Sequence, residues 1–329
     1  MAKIGVVGAG AWGTALVQML ASDGTDVLLW ALEPDVAREI NAQHRNTPYL
    51  PSAELAENVA ATSSLGDMAQ CDVLLFVTPA QHLGATMAQM PHFPRDLVLC
   101  CKGIEQASGR LMSDVAAEAA EGSDIAVLSG PTFAHEVAAG LPTAVTLACG
   151  GSEAQWERLS ATIARPAFRP YYSDDVVGAE IGGAVKNVLA IACGTVDGLE
   201  LGQNARAALI ARGYAEMLRF GEALGGRPET LAGLCGLGDL VLTCSSTASR
   251  NYSLGKALGE GQSPQDLMAD RRTVAEGAHT APVLARLAHG MGIAMPIANA
   301  VVAMLEGTPA GDVCSALLAR PLTTEQDAR

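Results

Sequence analysis

The sequence lacks any run of basic residues, and it carries a formal net charge of −14 at pH 7. Nucleic acids and anionic membrane surfaces bind clustered positive charge, so this composition argues against both partners. The sequence also lacks a stretch of ~18 consecutive apolar residues, the length of a membrane-spanning helix. Its first residues contain no apolar core of a signal peptide. We therefore expect a cytoplasmic protein with no integral membrane segment.

Cysteine pairs with metal-binding or redox spacing are also missing. None of the eight cysteines forms a CxxC pair or follows a zinc-binding spacing, and most lie within apolar stretches, as buried free thiols do. We therefore expect no metal site and a reducing environment. What the chain does contain is 49% hydrophobic residues over a length of 329, enough for roughly two globular domains.

The first motif that points to a ligand lies near the amino terminus. A short apolar run, 3–7, is followed by Gly8-Ala-Gly10-Ala-Trp-Gly13 and by a helical pattern over 14–21. Between a strand and a helix, GxGxxG is the dinucleotide-binding fingerprint. Its first glycine makes the turn, its second lets the pyrophosphate approach, and its third lets the helix pack on the strand. The alternative is a glycine-rich turn without a ligand.

A carboxylate follows the second predicted strand. Glu33 lies 20 residues after Gly13, the spacing at which an acid holds the adenosine ribose hydroxyls of NAD. It would repel the 2′-phosphate of NADP, so Glu33 favours NAD as the cofactor. The alternative is that Glu33 only begins the next helix, because Pro34 suits the first helical position and acids suit that end.

Apolar runs alternate with helical patterns in the first half of the chain. The predicted strands cover 3–7, 26–30, 73–77, 97–101, 125–128, 143–148 and 168–172. Buried strands that alternate with helices form a parallel, doubly wound sheet. From residue 176 the pattern is helical, with Asn204 as the expected N-cap of a long helix over 205–223. The predicted fold class is α/β, with an NAD(P)-binding Rossmann-type domain over 1–175 and an all-α-helical substrate and catalytic domain over 176–329.

Three further candidates follow predicted strands. Lys102 comes after the strand that ends at 101, and Gly130 and Thr132 come after the strand that ends at 128. Ligands of parallel α/β sheets bind at the carboxyl ends of the strands, so we expect these residues at a ligand site. The alternatives are a cation at the edge of a loop and a plain Gly-Pro turn.

A single cation stands in the apolar stretch that opens the second domain. Lys186 is one of only four lysines in the chain, and Gly182 and Gly183 precede it by one helical turn. Residues at this spacing share a helix face, so we expect the two glycines to leave open space beside the lysine for a ligand. Burial would lower the pKa of a lysine toward the range useful for proton transfer. The alternative is a lysine whose ammonium reaches out to water.

Two loops of the second domain carry the remaining polar candidates. Asp239 directly follows the glycine-rich stretch 233–238. Ser249, Arg250 and Asn251 bring together a hydroxyl, a guanidinium and an amide. An arginine with neutral donors is what phosphate recognition requires. The alternatives are a helix cap for Asp239 and a capped helix start for the group at 249–251.

Long motifs of the chain resemble a known family. They are GAGAWGTAL, CKGIE, LSGPTFAHEVAAGLPTA, EIGGAVKNVLAIACG, DGLELGQNARAALIARGYAEM, GLCGLGDLVLTCSSTASRN and VAEG. In order and spacing they are similar to NAD(P)-dependent glycerol-3-phosphate dehydrogenase of the bacterial type, from Ile4 to about Glu306. The resemblance implies interconversion of sn-glycerol 3-phosphate and dihydroxyacetone phosphate, the supply of glycerol backbones for phospholipids, and a homodimer.

The resemblance also implies residue roles. Lys186 would accept the proton of the C2 hydroxyl, with Asp239 beside it, and Lys102 would contact both substrate and cofactor. The other implied substrate contacts are Gly130, Thr132, Ser249, Arg250 and Asn251. The other implied cofactor contacts, besides Gly8, Gly10, Gly13 and Glu33, are Trp12, Ala134, Arg250, Val274 and Glu276.

The chain departs from the family where the 2′-phosphate of NADP would lie. The family often has arginine or histidine there, whereas this chain has Leu32 and Glu33. Two rival functions stay open at this point: a related two-domain dehydrogenase acting on a carboxylate, such as a 3-hydroxyacid or 6-phosphogluconate enzyme, and a regulator that senses NAD(H) without turnover. Lys186 with Asp239 argues against the sensor, because a sensor needs no proton-transfer pair.

Overall fold

The computed structural model describes residues 3–269, 275–322 and 324. The chain forms two compact units, the first made of Met1–Lys102 and Leu111–Val176, the second of Gly103–Arg110 and Val177–Arg329. The sequence patterns do not signal that the short segment Gly103–Arg110 joins the second unit. The assignment of cofactor binding to residues 1–175 and of catalysis to 176–329 stays a prediction.

The first unit is built on one eight-stranded sheet. Its strands are β1 Ile4–Val7, β2 Val27–Trp30, β3 Val59–Thr62, β4 Val73–Phe76, β5 Asp96–Leu99, β6 Asp124–Ser129, β7 Thr143–Cys149 and β8 Phe168–Ser173. Their order across the sheet is β3-β2-β1-β4-β5-β6-β7-β8. β1 pairs in parallel with both β2 and β4, with Ile4 opposite Val27 and Val73. The central strands are buried apolar runs, as parallel strands covered on both faces are.

One strand was missed by the sequence reasoning and one pairing direction was wrong. β3, with the sequence VAAT, was not predicted because alanine has little preference for strands. β7 runs antiparallel to β6, whereas an entirely parallel sheet was expected. The connection between them holds only the five-residue helix Ala134–Ala138. Such a helix spans roughly 8 Å and cannot return the chain along a strand of roughly 20 Å, so the next strand starts from the same end.

The helices of the first unit cover the sheet. They are α1 Ala11–Ala21, α2 Pro34–Gln43, α3 Leu83–Met87, α4 Met112–Ala119, α5 Ala134–Ala138 and α6 Glu153–Ile163. α1 directly follows the glycine turn, and eight of its eleven residues are buried. The predicted N-terminal doubly wound α/β domain is therefore confirmed, with the additional strand β3 and the antiparallel β6–β7 pair as differences.

Apart from Gly103–Arg110, the connections and a π-helix over Leu234–Gly238, the described part of the second unit consists of α-helices. They are α7 Val176–Gly198, α8 Gly202–Ala223, α9 Pro228–Leu231, α10 Asp239–Thr243, α11 Arg250–Gly259, α12 Pro264–Ala269, α13 Glu276–Gly290, α14 Pro296–Leu305 and α15 Ala310–Leu318. The predicted N-cap at Asn204 was wrong. α8 begins at Gly202 with Leu201 at the N-cap position and no side-chain cap. Glu200 and Gly202 both have positive φ, 55° and 86°, and together they turn the chain earlier than expected.

α7 is the central helix of the second unit. It is the one described helix long and apolar enough by length and composition to cross a membrane, and 89% of that stretch is buried inside the protein. Helices of folded domains that are apolar on all sides are buried in this way.

Glycines allow α7 and α11 to touch backbone to backbone. A Cβ atom on Gly194 would lie 1.9 Å from the carbonyl oxygen of Tyr252, and one on Gly255 would lie 1.9 Å from the carbonyl oxygen of Ile191. Gly198 and Gly259 repeat the contact one turn further on. Each helix therefore contributes two glycines four residues apart to one close crossing, which joins the helix of Lys186 to the helix that begins after Ser249.

A buried carboxyl group holds the start of α14. Glu216 on α8 accepts hydrogen bonds from the backbone N–H groups of Ile297, at 2.7 Å, and Ala298, at 3.2 Å. These N–H groups have no partner within their own helix. Burial raises the pKa of Glu216 from 4.5 to about 7, although the two backbone hydrogen bonds oppose the increase.

Glu216 should therefore make stability depend on pH. Its pKa is higher in the folded chain than in the unfolded chain, so its contribution is fully present below pH ~4.5 and is lost as the pH rises through ~7. We expect the unfolding free energy of Glu216→Gln, relative to wild type, to rise by about 2 kcal/mol between pH 5.5 and pH 8. Denaturant unfolding of both proteins at the two pH values measures this. Parallel pH profiles would contradict it.

Candidate functional site

The glycine turn between β1 and α1 has the geometry of a dinucleotide loop. Gly8 adopts φ +121°, which disfavours other residues, and its backbone N–H donates to the carbonyl of Trp30 at the end of β2. A Cβ on Gly13 would lie 1.8 Å from the Gly8 carbonyl oxygen, whereas one on Gly10 would meet no atom within 4 Å. Gly8 therefore makes the turn and Gly13 lets the helix pack, as expected. The space beside Gly10 is open to a ligand.

A buried amide supports this loop. Asn46 Nδ2 donates to the carbonyl oxygen of Ala9, at 2.8 Å, and to Thr14 Oγ1, at 2.7 Å. Asn46 is fully buried. It connects the segment after α2 to the glycine turn. This contact could not be predicted from sequence, because 37 residues separate Asn46 from Ala9.

Glu33 begins α2 and also has a side-chain partner. It occupies the N-cap position, with Pro34 as the first helical residue, but its side chain does not cap the helix. Its Oε1 instead accepts a hydrogen bond of 2.8 Å from the Tyr49 hydroxyl. Glu33 is therefore at a helix start, as the helix-start interpretation expected. Its carboxylate is also exposed after β2, as a contact with the adenosine ribose would require.

The carboxyl ends of β5 and β6 bring three candidates together. Lys102 Nζ lies 3.4 Å from the carbonyl oxygen of Gly130, and Thr132 Oγ1 lies 3.3 Å from the same oxygen. Two buried hydroxyls at strand ends, Thr78 Oγ1 and Ser129 Oγ, have no hydrogen-bond partner in the described structure. Polar atoms of this kind, at the ends of strands and beside an open glycine turn, fit the binding of a polar ligand such as a dinucleotide.

The other predicted cofactor contacts of the first unit lie at the starts of helices. Trp12 is the second residue of α1, and Ala134 is the first residue of α5. Both are partly buried and pack against the apolar core of this unit.

The second unit buries a lysine and a carboxylate together. Lys186 Nζ donates to Asp239 Oδ1 at 2.7 Å and to Thr243 Oγ1 at 2.9 Å. Thr243 in turn donates to Asp239 Oδ1 at 3.1 Å. The side chains of Lys186 and Asp239 are 7% and 0% exposed, so the lysine does not reach out to water. Buried charges of this kind require pairing, and here the pair is complete.

The expected open space beside Lys186 is not what Gly182 provides. A Cβ on Gly182 would lie 2.5 Å from the carbonyl oxygen of Cys235 and 3.0 Å from the Cα of Gly236. Gly182 therefore lets the glycine-rich segment 234–238 pack directly on α7. Because that segment leads into α10, the glycine positions Asp239 against Lys186 rather than admitting a ligand.

The group at 249–251 forms the start of α11. Ser249 is the N-cap, and its Oγ accepts a hydrogen bond from the Tyr252 N–H. The interpretation of this group as a capped helix start was therefore correct for Ser249. Arg250 is exposed at the first helical position. Asn251 is buried, and its amide donates to Asn187 Oδ1 at 3.0 Å and accepts from the Gly277 N–H at 2.9 Å.

Two residues of this cluster were missed by the sequence reasoning. Thr243 lies four residues after Asp239, the spacing that places side chains on one helix face, so the pattern DLVLT carried a usable signal. Asn187, next to Lys186, carried none, because its partner Asn251 lies 64 residues away. Glu276 is the first residue of α13. Val274 lies outside the described residues.

The cluster contains a thiol that does not take part in acid–base chemistry. Burial, followed by hydrogen bonding with Cys193, raises the pKa of the Cys244 thiol well above its ordinary range. It therefore stays uncharged next to Lys186. All eight cysteines are free, and the described residues contain no group of three or more His, Cys, Asp or Glu side chains able to hold a metal ion.

The polar groups of the second unit and the glycine turn of the first unit suit different parts of a redox reaction. An amine beside a carboxylate and a hydroxyl can give or take a proton, and the guanidinium and donors at the start of α11 can bind an anion. The glycine turn and the strand ends of the first unit can hold a dinucleotide.

Comparison with known proteins covers the whole chain. A family model described as NAD-dependent glycerol-3-phosphate dehydrogenase N-terminus matches residues 3–155, and one described as NAD-dependent glycerol-3-phosphate dehydrogenase C-terminus matches residues 175–312. A protein of Erythrobacter litoralis named glycerol-3-phosphate dehydrogenase (NAD(P)+) is 72% identical, with 99% of this chain and 98% of that protein covered. One of Novosphingobium aromaticivorans with the same name is 70% identical, with 98% of each covered.

Solved structures agree with this similarity. The crystal structure of a glycerol-3-phosphate dehydrogenase from Coxiella burnetii is 39% identical, with a TM-score of 0.92 over 97% of this chain and 99% of that one.

Proposed function

Because this chain belongs to the NAD-dependent glycerol-3-phosphate dehydrogenase family, we propose that Lys186 is its general acid–base residue and that Asp239 and Thr243 hold Lys186 in place. The enzyme interconverts sn-glycerol 3-phosphate and dihydroxyacetone phosphate with NAD or NADP, and it supplies glycerol 3-phosphate for phospholipid synthesis. The observation that carries the proposal is the buried contact of 2.7 Å between Lys186 Nζ and Asp239 Oδ1.

Proton transfer at C2 is the task of Lys186. A secondary alcohol loses hydride from carbon only as its hydroxyl proton leaves, so a base beside the hydroxyl is required, and the same group acts as the acid in the reverse direction. The Asp239 carboxylate stabilises the protonated amine, which is the form needed to reduce a ketone. Thr243 accepts from the same amine and donates to Asp239, so both groups fix the position of Nζ.

The phosphate of the substrate is bound at the start of α11. Arg250 supplies an exposed guanidinium, and the N-terminus of a ten-residue helix favours negative charge there. Asn251 and Ser249 supply neutral donors. Asn187 and Gly277 orient the Asn251 amide through two hydrogen bonds. Lys102, Gly130 and Thr132 are further substrate contacts that the family resemblance implies.

The first unit contains the dinucleotide-binding turn. When the dinucleotide is bound, its nicotinamide accepts or returns the hydride. Gly10 and the N-terminus of α1 would hold the pyrophosphate, and Gly8 and Gly13 keep that turn in shape. Trp12, Glu33, Lys102, Ala134, Arg250, Val274 and Glu276 are the remaining proposed cofactor contacts. A homodimer, which the family resemblance implies, and a cytoplasmic location, which the pattern of free cysteines favours, are part of this proposal.

Initial rates with dihydroxyacetone phosphate test the activity. We expect the purified protein to oxidise NADH in the presence of dihydroxyacetone phosphate, and not in the presence of a 3-oxoacid or of ribulose 5-phosphate supplied together with CO2. NADH binding without turnover on any of these compounds would favour the sensor instead. Turnover on the 3-oxoacid alone would favour the rival dehydrogenase.

A further inference from the structure

The contact between Tyr49 and Glu33 lies where the two dinucleotides differ. NAD and NADP are distinguished only by the phosphate on the adenosine ribose, and in this kind of sheet the ribose is recognised just after the second strand. Glu33 is that residue here, and its carboxylate accepts a hydrogen bond of 2.8 Å from Tyr49. An exposed glutamate without such a partner samples several rotamers, so the hydroxyl reduces the freedom of the carboxylate.

The segment that carries Tyr49 is itself fastened to the dinucleotide loop. Asn46, three residues earlier, is bound to Ala9 and Thr14 of the glycine turn. The ring of Tyr49 packs against the apolar core of the first unit. The segment that carries Tyr49 is therefore connected to the glycine turn through Asn46, and the Tyr49 hydroxyl lies beside the start of α2.

The neighbours of Glu33 in sequence do not favour a 2′-phosphate. Leu32, the residue between the strand end and Glu33, is 71% exposed and apolar. The nearest arginine in sequence, Arg38, forms an ion pair with Asp35 one turn into α2. Glu33 and Asp35 also place two negative charges at the N-terminus of α2, where the helix dipole would otherwise favour an anion.

We propose that Tyr49 is a positioning residue whose hydroxyl orients the Glu33 carboxylate toward the adenosine ribose hydroxyls, so that this enzyme prefers NAD(H) to NADP(H). The inference rests on the proposed binding of the dinucleotide at Gly8–Gly13. It assigns to Tyr49 a role in cofactor choice that does not involve the reacting atoms.

Direct binding provides the test, because it does not depend on turnover. The Kd values of NADH and NADPH are measured by fluorescence titration for wild type, Tyr49→Phe, Glu33→Gln and the control Tyr171→Phe. Phenylalanine keeps the packing of the ring and removes only the hydroxyl. Tyr171 is an exposed tyrosine on β8 of the same unit. Thermal unfolding of each variant checks that the fold is retained.

We expect wild type to bind NADH at least ~10-fold more tightly than NADPH, because like charges repel. Tyr49→Phe should reduce that ratio by about 5-fold, mainly by weakening NADH, as loss of one hydrogen bond does. Glu33→Gln should bring the ratio to within ~3-fold of unity by strengthening NADPH. Tyr171→Phe should leave it unchanged.

Three results would overturn the proposal. The first is equal affinity of wild type for NADH and NADPH. The second is a ratio of the two Kd values that is unchanged in Tyr49→Phe. The third is a loss of affinity in Tyr49→Phe that is equal for both dinucleotides, which would give Tyr49 a structural role only. Turnover is recorded separately at saturating NADH. Absence of turnover with dihydroxyacetone phosphate, together with a clear preference for NADH, would contradict the proposed reaction and leave the role of Tyr49 supported.

Discussion

Replacement of Lys186 by methionine is expected to lower kcat by at least ~10², the lower range for loss of a general acid–base group. Methionine fills a similar volume but cannot exchange a proton. Binding of NADH should be retained, because Lys186 is not among the proposed cofactor contacts. Steady-state rates with dihydroxyacetone phosphate and fluorescence titration with NADH measure the two properties. Turnover close to wild type would remove Lys186 from the mechanism.

The same substitution leaves Asp239 buried without its cation, which by itself costs about 3–5 kcal/mol of stability. The double variant Lys186→Met with Asp239→Asn separates the two effects, because the neutral amide requires no counter-ion. We expect the double variant to recover much of the stability and none of the activity. Lys256→Met is the matched control. Lys256 belongs to the same unit and pairs with Asp197 at its half-exposed surface, so its loss should leave kcat unchanged.

Substitution of Gly194 by alanine is expected to lower the unfolding free energy by about 3 kcal/mol or more, at the upper end of overpacking in a core. The added Cβ would lie 1.9 Å from the Tyr252 carbonyl oxygen and 2.8 Å from its carbon. Backbone atoms cannot turn away as a side chain can, so α7 and α11 must separate. Because α7 carries Lys186 and α11 begins after Ser249, kcat should fall as well. Thermal and denaturant unfolding and steady-state rates measure both effects.

Two other helical glycines provide graded controls. A Cβ on Gly213 would meet only side-chain atoms of Leu189, the nearest at 2.8 Å, and one on Gly311 would meet nothing within 4 Å. We expect Gly213→Ala to lose less stability than Gly194→Ala, because a leucine can shift. Gly311→Ala should be neutral or stabilising by up to about 1 kcal/mol, since alanine favours the helix. Equal losses for all three variants would show that the close crossing has no special cost.

Local sequence was sufficient where the cause of a structure is local. The turn at Gly8, the packing at Gly13 and the helix start at Pro34 depend on residues within one turn of each other, and they were predicted correctly. Long apolar runs such as β2 and β4 were recognised for the same reason. The weakly apolar strand β3 was missed, because its neighbours in the sheet rather than its own residues stabilise it.

Contacts between residues far apart in sequence determine the arrangement around Lys186. Gly182 was predicted to leave space for a ligand, and the tertiary structure fills that space with the backbone of Cys235 and Gly236. Asn187 gave no signal, because its role depends on Asn251. The pairing of Lys186 with Asp239 joins residues 53 positions apart; the motif resemblance suggested that they lie together, but spacing alone did not.

By itself, the sequence determined the α/β and all-helical character of the two halves, the dinucleotide turn and the family to which the chain belongs. These follow from periodicity, turn chemistry and long motifs, which are read along the chain. The tertiary structure alone decided the direction of β7, the close crossing of α7 and α11, and the contact of Tyr49 with Glu33. Each of these depends on which surfaces meet once the core has formed, and that is set by the packing of residues far apart in sequence.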